Sequence, residues 1–263
     1  MAYVLFLCII QGVGECLPVS SSAHLYFLSL FGGYPPTTLD VEVALHLGSL
    51  IAICAFLWQP LWRMADGSFR TLTTFRMTDG FGMAMIVVLA TLPSVFIGFL
   101  VKRHFELPQT VFGIGIVSIV FGALLLLAEK IGTQEKSKVT LSHALIIGCA
   151  QVLAFIPGAS RLGSCLTAAR FLGIQRWQAT QFSFLLAVPT ILGAVVLTGI
   201  DVVHAGKLAM LLPLWPAVVL TCMMSLLVLK ALHWYVTHYS YIPFAFYRII
   251  LGVFLTYLAY MKL

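Results

Sequence analysis

An all-α polytopic membrane protein, with six transmembrane helices and two re-entrant helical hairpins in an inverted repeat, is predicted by three features of this 263-residue chain. The first is its solvent preference: 61% of residues are hydrophobic, 9% are charged and mean hydropathy is +1.04. A soluble chain of this length could fill a core but could not cover its outside with so few charges, so lipid is the outer solvent. The second is a pair of polar, turn-forming segments inside apolar sequence, Glu15-Cys-Leu-Pro-Val-Ser-Ser-Ser-Ala-His24 and Pro157-Gly-Ala-Ser-Arg-Leu-Gly-Ser164. A charge at bilayer depth costs about 2.5–3.5 kcal/mol by insertion scales, so such residues face a cavity or a functional site. The third is the order along the chain: hairpin, three spans, hairpin, three spans.

Apolar stretches long enough to cross about 30 Å of hydrocarbon lie at roughly 42–62, 81–101, 109–128, 178–200, 208–230 and 243–261. Segments 2–31 and 140–173 are each two short apolar pieces joined by a polar break, and read as hairpins that enter the membrane and return on the same side. Pro93, Pro189, Pro213 and Pro216 fall in or near spans and read as kinks. The chain forms one membrane domain, 1–263, with repeats of approximately 1–128 and 140–263. Each repeat holds an odd number of spans, so the second is inserted upside down relative to the first and the hairpin tips meet near the midplane. Laying Pro18 on Pro157 places Ser21 on Ser160 and Ser22 on Arg161, so architecture supports the repeat more than identities do.

Loop charges orient this arrangement. One side carries Arg63, Arg70, Arg76, Lys130, Lys136, Lys138, Arg176 and Lys230, the other Lys102, Arg103, Lys207 and Lys262. The positive-inside rule makes the first side cytoplasmic, with both termini outside, the first hairpin opening outward and the second inward. The start of the chain lacks a basic region and is interrupted by Gln11 and Glu15, which reads as mature structure and not a cleaved signal. The six cysteines, Cys8, Cys16, Cys54, Cys149, Cys165 and Cys222, lie singly without metal-ligand spacing and read as packing residues. A net charge of +6 favours anionic lipid surfaces, and the scatter of the basic residues argues against nucleic acid.

The first hairpin carries a constellation suited to phosphoryl chemistry. Gln11 and Glu15, four apart, share one helical face. Leu17-Pro18 ends that half-helix, and Ser20, Ser21 and Ser22 supply hydroxyls that cap the next one, whose free N–H groups make an anion site. His24, three residues past Ser21, is expected on the same face, so that carboxylate, hydroxyl and imidazole converge. In the second hairpin Pro157-Gly158 forms the break, Ser160 caps the following half-helix, and Arg161 offers a planar fork for phosphate oxygens. Glu15, Ser21, His24 and Arg161 are therefore the candidate catalytic residues, and Gln11, Ser20, Ser22, Gly158 and Ser160 the candidate substrate contacts. Arg170 is a weaker candidate, expected to snorkel near the cytoplasmic end. His46 lies in a span, where it could line the cavity, but as a lone histidine it is expected to be structural; His233 and His238 are expected to be solvated.

This combination resembles the undecaprenyl-diphosphatase family, also called the bacitracin-resistance protein family, over nearly the whole chain. The family's first motif, Glu or Gln four residues before Glu and then Pro-Val-Ser-Ser-Thr-Gly-His, stands here as Gln11, Glu15 and Pro18-Val-Ser-Ser-Ser-Ala-His24. Its second, Pro-Gly-x-Ser-Arg-Ser-Gly, stands as Pro157-Gly-Ala-Ser-Arg-Leu-Gly163. The departures are Ser22 for Thr, Ala23 for Gly, which matters only if that position needs positive φ, and Leu162 for Ser.

The resemblance implies removal of the terminal phosphate from a polyprenyl diphosphate, regenerating the carrier lipid for peptidoglycan synthesis, with bacitracin competing for that lipid. It also implies dependence on a divalent cation and a bacterial inner-membrane location with the site facing the periplasm or exterior. Glu15 would be the essential carboxylate, Ser21 a candidate nucleophile, His24 the general acid/base and Arg161 the phosphate clamp. Whether Ser21, His24 or water bonds to phosphorus stays open, as does a homodimeric state. Mg²⁺ or Ca²⁺ would suit Glu15 and substrate phosphates, and with one protein carboxylate the ion is expected to arrive with the diphosphate.

Three other readings compete. Glu15 and Arg161 could form an ion pair joining the hairpins without chemistry. A polyprenyl-phosphate translocase, or another inverted-repeat transporter, would use the same half-helices to bind an anion, without an evident need for His24 beside Ser21 and Glu15. The type 2 phosphatidic acid phosphatase class would need His and Asp where this chain has Thr167 and Phe171, so that assignment fails.

Overall fold

In the computed structural model, which describes residues 2–31, 38–104, 110–206 and 212–261, the chain is a bundle of helices whose outward faces are apolar. Among the described residues six helices are long and apolar enough to cross a membrane: α3 (Leu39–Phe56), α5 (Asp79–His104), α6 (Val111–Ile131), α9 (Arg176–His204), α10 (Trp215–His238) and α11 (Ile242–Tyr260). Phe96, Phe112, Val196, Leu227 and Ile250 are exposed on them, as lipid-facing residues should be. The two segments expected to break do so. The first gives α1 (Ala2–Cys16) and α2 (Ser21–Phe31), the second α7 (Leu141–Gln151), a 3-10 turn at Val152–Phe155 and α8 (Arg161–Phe171). Pro93 and Pro189 lie inside α5 and α9, and Pro216 stands in the first turn of α10, where its missing N–H costs nothing.

The first span differs from the sequence expectation of 42–62. It ends at Phe56, and an amphipathic helix, α4 (Trp58–Thr74), follows after the single residue Leu57. The apolar run Trp58-Gln-Pro-Leu-Trp62 extends the span on paper, but Pro60 belongs to a helix start and Arg63, Asp66 and Arg70 cannot continue into hydrocarbon. The expected starts of the third and fifth spans, at 109 and 208, lie outside the described residues, as do Lys207 and Lys262 and the side chains of Lys102 and Arg103.

Helix neighbours are set by small residues. Gly148 of α7 lies so close to the Ala90 carbonyl of α5 that a Cβ there would stand 1.9 Å from it, and a Cβ on Gly252 of α11 would stand 2.5 Å from the Gly115 carbonyl of α6. Backbones approach this closely only where side chains are absent, which is how helices gain packing in lipid. Helix α6 pairs with α11; α3 packs on α10 as α9 packs on α5, and α1 packs on α10 as α7 packs on α5.

One end of the bundle is locked by charge. Glu129 near the end of α6 accepts from Arg170 Nε at 2.8 Å and from Arg176 Nε, and Arg170 also donates to the carbonyls of Thr133, Ile174 and Gly132. Arg170 does not snorkel: it is fully buried and satisfied, because α6 presents a carboxylate to it and the turns that follow α6 and α8 present carbonyls. The Lys136 backbone bonds to Gly173 and Gln175 beside this cluster, so α7 starts and α8 ends at the same end. His233 packs 4.0 Å from the Trp177 ring and near Phe56, which places it in an aromatic contact and not in solvent, while His238 is exposed. Replacing Glu129 by Gln strands two arginines beside a neutral amide. That change should cost about 3–5 kcal/mol and lower the thermal unfolding midpoint in detergent; an unchanged midpoint would show that the cluster carries no net stability.

Candidate functional site

Both broken hairpins restart on a strained serine. Ser20 (φ 70°) and Ser160 (φ 67°) hold left-handed backbone, which L-residues adopt at a cost and which concentrates at working sites. The helix after each begins immediately, at Ser21 and at Arg161. Ser21 therefore corresponds to Arg161 in the two hairpins, one residue away from the correspondence drawn from the prolines. Ser160 caps α8 as expected, its Oγ accepting from the Gly163 N–H at 3.2 Å. Ala23 lies inside α2 and is buried, so no positive φ is needed there and the glycine of the motif is dispensable.

The two helix starts meet at one cavity of about 340 Å³. Its wall includes Glu15, Ser20, Ser21 and Ser22 from the first hairpin and Ser160, Arg161 and Leu162 from the second. Glu15 is the centre of the polar network. Arg161 Nη2 donates to its Oε1 at 2.9 Å, while Ser21 Oγ (3.2 Å) and Gln11 Nε2 (3.3 Å) donate to Oε2. Arg161 Nη1 also reaches the Ser183 carbonyl on α9 at 3.4 Å, so the guanidinium is held from two helices. The competing ion-pair reading is thus right about the contact. The pair nevertheless stands on a cavity wall, next to a serine hydroxyl and two helix N-termini whose partial positive charge favours an anion.

Two histidines exchange places relative to expectation. His24 does not line the cavity. Its Nδ1 bonds the Ser20 carbonyl at 2.7 Å and its Nε2 bonds the Tyr247 hydroxyl at 2.6 Å, with the two rings stacked. Three residues along a helix put His24 near Ser21 in projection, but Ser21 turns to Glu15 while His24 turns to α11. His46 of α3 does line the cavity, bonded through Nδ1 to Gln11 Nε2 at 3.1 Å. Gln11 therefore donates to both Glu15 and His46, and orients the carboxylate from behind the wall. Gly158 (φ 94°) is not on the wall either; it provides the turn that only glycine adopts freely.

Sequence reasoning also missed Arg248, a fully buried arginine of α11. Its Nη2 donates to the carbonyls of Gly158 (3.0 Å) and Ala159 (2.8 Å), and its Cζ lies 5.8 Å from the Phe121 ring centroid. It holds the turn that aims Ser160 and Arg161. A lone charge inside a 19-residue apolar helix was the available signal. Ser94 and Gln151, joined by a 3.0 Å hydrogen bond, complete the far wall. Beyond them an apolar trough of about 280 Å³ continues between α5 and α9 past Val95, Phe99 and Leu197.

The donor set does not form a metal cage. Among the described residues no three His, Cys, Asp or Glu groups stand close enough to hold an ion, and Glu15, the one acidic residue on the cavity wall, is already engaged by Arg161.

Comparison with known proteins agrees with these observations. Residues 4–254 match the family described as Bacitracin resistance protein BacA. The undecaprenyl-diphosphatase of Alcanivorax borkumensis is 38% identical over 258 residues, covering 95% of each chain. That of Roseobacter denitrificans is 35% identical over 262 residues, covering 98% of each.

Arg248→Met keeps the volume and removes both donors to the turn. Inorganic diphosphate binding, followed by calorimetry on the detergent-purified protein, should weaken about ten-fold, and unchanged affinity would detach Arg248 from the site.

Proposed function

The chain belongs to the bacitracin resistance protein BacA family, and we infer from this membership and from the cavity that it is an undecaprenyl-diphosphatase. It removes the terminal phosphate of undecaprenyl diphosphate to give undecaprenyl phosphate and phosphate, recycling the carrier lipid for cell-wall synthesis. The observation that carries this reading is the meeting of two half-helix starts, with Glu15, Ser21 and Arg161 between them, on one cavity. Helix N-termini and a guanidinium stabilise the equatorial oxygens of a phosphoryl group in transfer. The apolar trough between α5 and α9 gives the polyprenyl tail a dry path from the polar cavity.

In this reading the attack is assigned to Ser21. Its hydroxyl already donates to Glu15, whereas both ring nitrogens of His24 are engaged elsewhere. As the Ser21 Oγ–phosphorus bond forms, the proton passes to Glu15 and the bridging oxygen–phosphorus bond breaks, its electrons leaving with polyprenyl phosphate. Arg161 moves from Glu15 onto the phosphoryl oxygens, which frees the carboxylate to act as base. Water then attacks the phosphorus, the Ser21 Oγ–phosphorus bond breaks, Glu15 returns its proton to Ser21 Oγ, and phosphate leaves with the oxygen and protons of the water. His24 acts by holding the Ser20 carbonyl and hence the turn that presents Ser21. A divalent cation, Mg²⁺ or Ca²⁺, is assigned to the incoming diphosphate because the described residues offer it no cage.

The same reading extends to topology. The exchange of packing partners between α1–α6 and α7–α11 supports an inverted repeat, 1–128 and 140–263, with both hairpins re-entrant. The charge-rich end, where α3, α6 and α10 finish, faces the cytoplasm of a bacterial inner membrane, and substrate reaches the site from the periplasmic side, where bacitracin would compete for it.

Phosphate release from a long-chain polyprenyl diphosphate by purified protein tests this. Release should require Mg²⁺ or Ca²⁺ and stop with EDTA. Glu15→Gln and Ser21→Ala should each lose about 100-fold or more in kcat, and Arg161→Lys a similar factor, because an ammonium cannot reproduce the fork. Full hydrolysis by Glu15→Gln would place the chemistry elsewhere, and no release by folded wild-type protein would favour a lipid translocase.

A further inference from the structure

Helix α4 takes no part in the cavity and carries an apolar stripe that nothing in the bundle covers. Trp58, Trp62, Ala65, Phe69 and Leu72 recur at intervals of four, three, four and three residues, which puts them in one line along the helix. The four large members of that line are 61–70% exposed. The opposite side is fixed to the protein: Leu61 and Met64 pack on the core, Thr78 Oγ1 donates to the Gly67 carbonyl at 2.8 Å, and a Cβ on Gly80 would stand 2.1 Å from the Arg63 carbonyl. The stripe is therefore held outward by a rigid seat on α5 and is not a fraying end.

A third face runs beside the stripe. It carries Gln59, Arg63, Asp66 and Arg70, all exposed or half-exposed, and Arg70 pairs with Asp66 at 2.9 Å. Arg76 and Asp79, both exposed, follow just past the helix. Phe75, 92% exposed in left-handed backbone, and Met77, 76% exposed, extend the apolar surface through the turn into α5. Apolar line, adjoining cationic line and a seat on the protein make three distinct faces on one helix.

We propose that α4 lies in the membrane interface and binds an anionic phospholipid leaflet, its apolar line entering the acyl boundary and Arg63 and Arg70 meeting headgroup phosphates. Position selects this occupant. Helix α3 ends at Phe56, one residue before α4 begins, so α4 starts where a spanning helix leaves the hydrocarbon. Tryptophans settle at that level, and Trp58 and Trp62 are the first two of the line. Seventeen residues containing two arginines and an aspartate cannot cross, whereas a cationic amphipathic helix beside an anionic surface is favoured twice, by burial and by charge. Lys130, Lys136 and Lys138 are exposed at the charge-rich end, with Glu135 among them.

The test reconstitutes the full chain in vesicles and compares quenching of tryptophan fluorescence by brominated phosphatidylglycerol and by brominated phosphatidylcholine at equal mole fraction. Subtracting the Trp58→Phe/Trp62→Phe variant isolates the two tryptophans of α4. Their quenching should be at least about two-fold stronger with the anionic lipid, and Arg63→Gln/Arg70→Gln should bring the ratio to one. Should that variant fail to reconstitute, raising salt to about 1 M on the wild-type protein screens the same contact and should collapse the ratio. Absence of quenching by either lipid would place the stripe against water or a protein and overturn the proposal. Equal quenching by both lipids, or a ratio insensitive to the arginines and to salt, would overturn its anionic part.

Discussion

A single charge pair, Glu15 with Arg161 at 2.9 Å, joins two hairpins whose partners are 146 residues apart in sequence. Neither charge could stay at membrane depth alone, because an unpaired ion there costs several kcal/mol. Each hairpin thus needs the other, and the requirement brings two broken helices tip to tip. Once there, the same pair defines a chemical site: a carboxylate that a serine hydroxyl already contacts, and a cation able to leave it for a more highly charged partner. An ion pair that only stabilised the fold would have no reason to stand on a cavity wall between two helix N-termini.

The remaining structure holds that pair in place. Ser20 and Ser160 accept left-handed backbone so that each half-helix starts at the cavity, and the cost is met by neighbours specific to each turn. His24, held in turn by Tyr247, holds the Ser20 carbonyl; Arg248 holds the carbonyls of Gly158 and Ala159. Tyr247 and Arg248 are neighbours on α11, which thus supports one turn through His24 and the other directly. At the charge-rich end, Glu129 with Arg170 and Arg176 ties α6, α8 and α9 together and fixes how far α8 enters the bundle.

Much of this was legible in the residues. Charges, prolines and glycines inside apolar sequence located both breaks, and the positions of Glu15, Ser21, Ser160 and Arg161 followed from them. What was hidden depends on which way a side chain turns. His24 and His46 could not be told apart by spacing, because one turn of helix brings a residue near a neighbour without saying which of two packed helices it faces. Arg170 looked like a snorkelling residue because most of its acceptors, the Glu129 carboxylate of α6 and the Gly132 and Thr133 carbonyls just past it, lie about 40 residues away in sequence, and only the Ile174 carbonyl is near. Arg248 was visible as a lone charge but had no motif to give it meaning. Helix α4 was concealed because hydropathy runs on through Trp58 and Trp62, and only their exposure beside Arg63 and Arg70 separates an interfacial helix from the end of a span.

The central claim is that one phosphoryl group is seated between the two hairpins, and a double-mutant cycle on kcat/KM between Ser21→Ala and Arg161→Lys tests it most directly. Residues that act on the same transferring group are not additive. The account predicts that the double variant is about as slow as the slower single variant. Losses that simply multiply would mean that Ser21 and Arg161 act at separate places, and would contradict a site shared by the two hairpins.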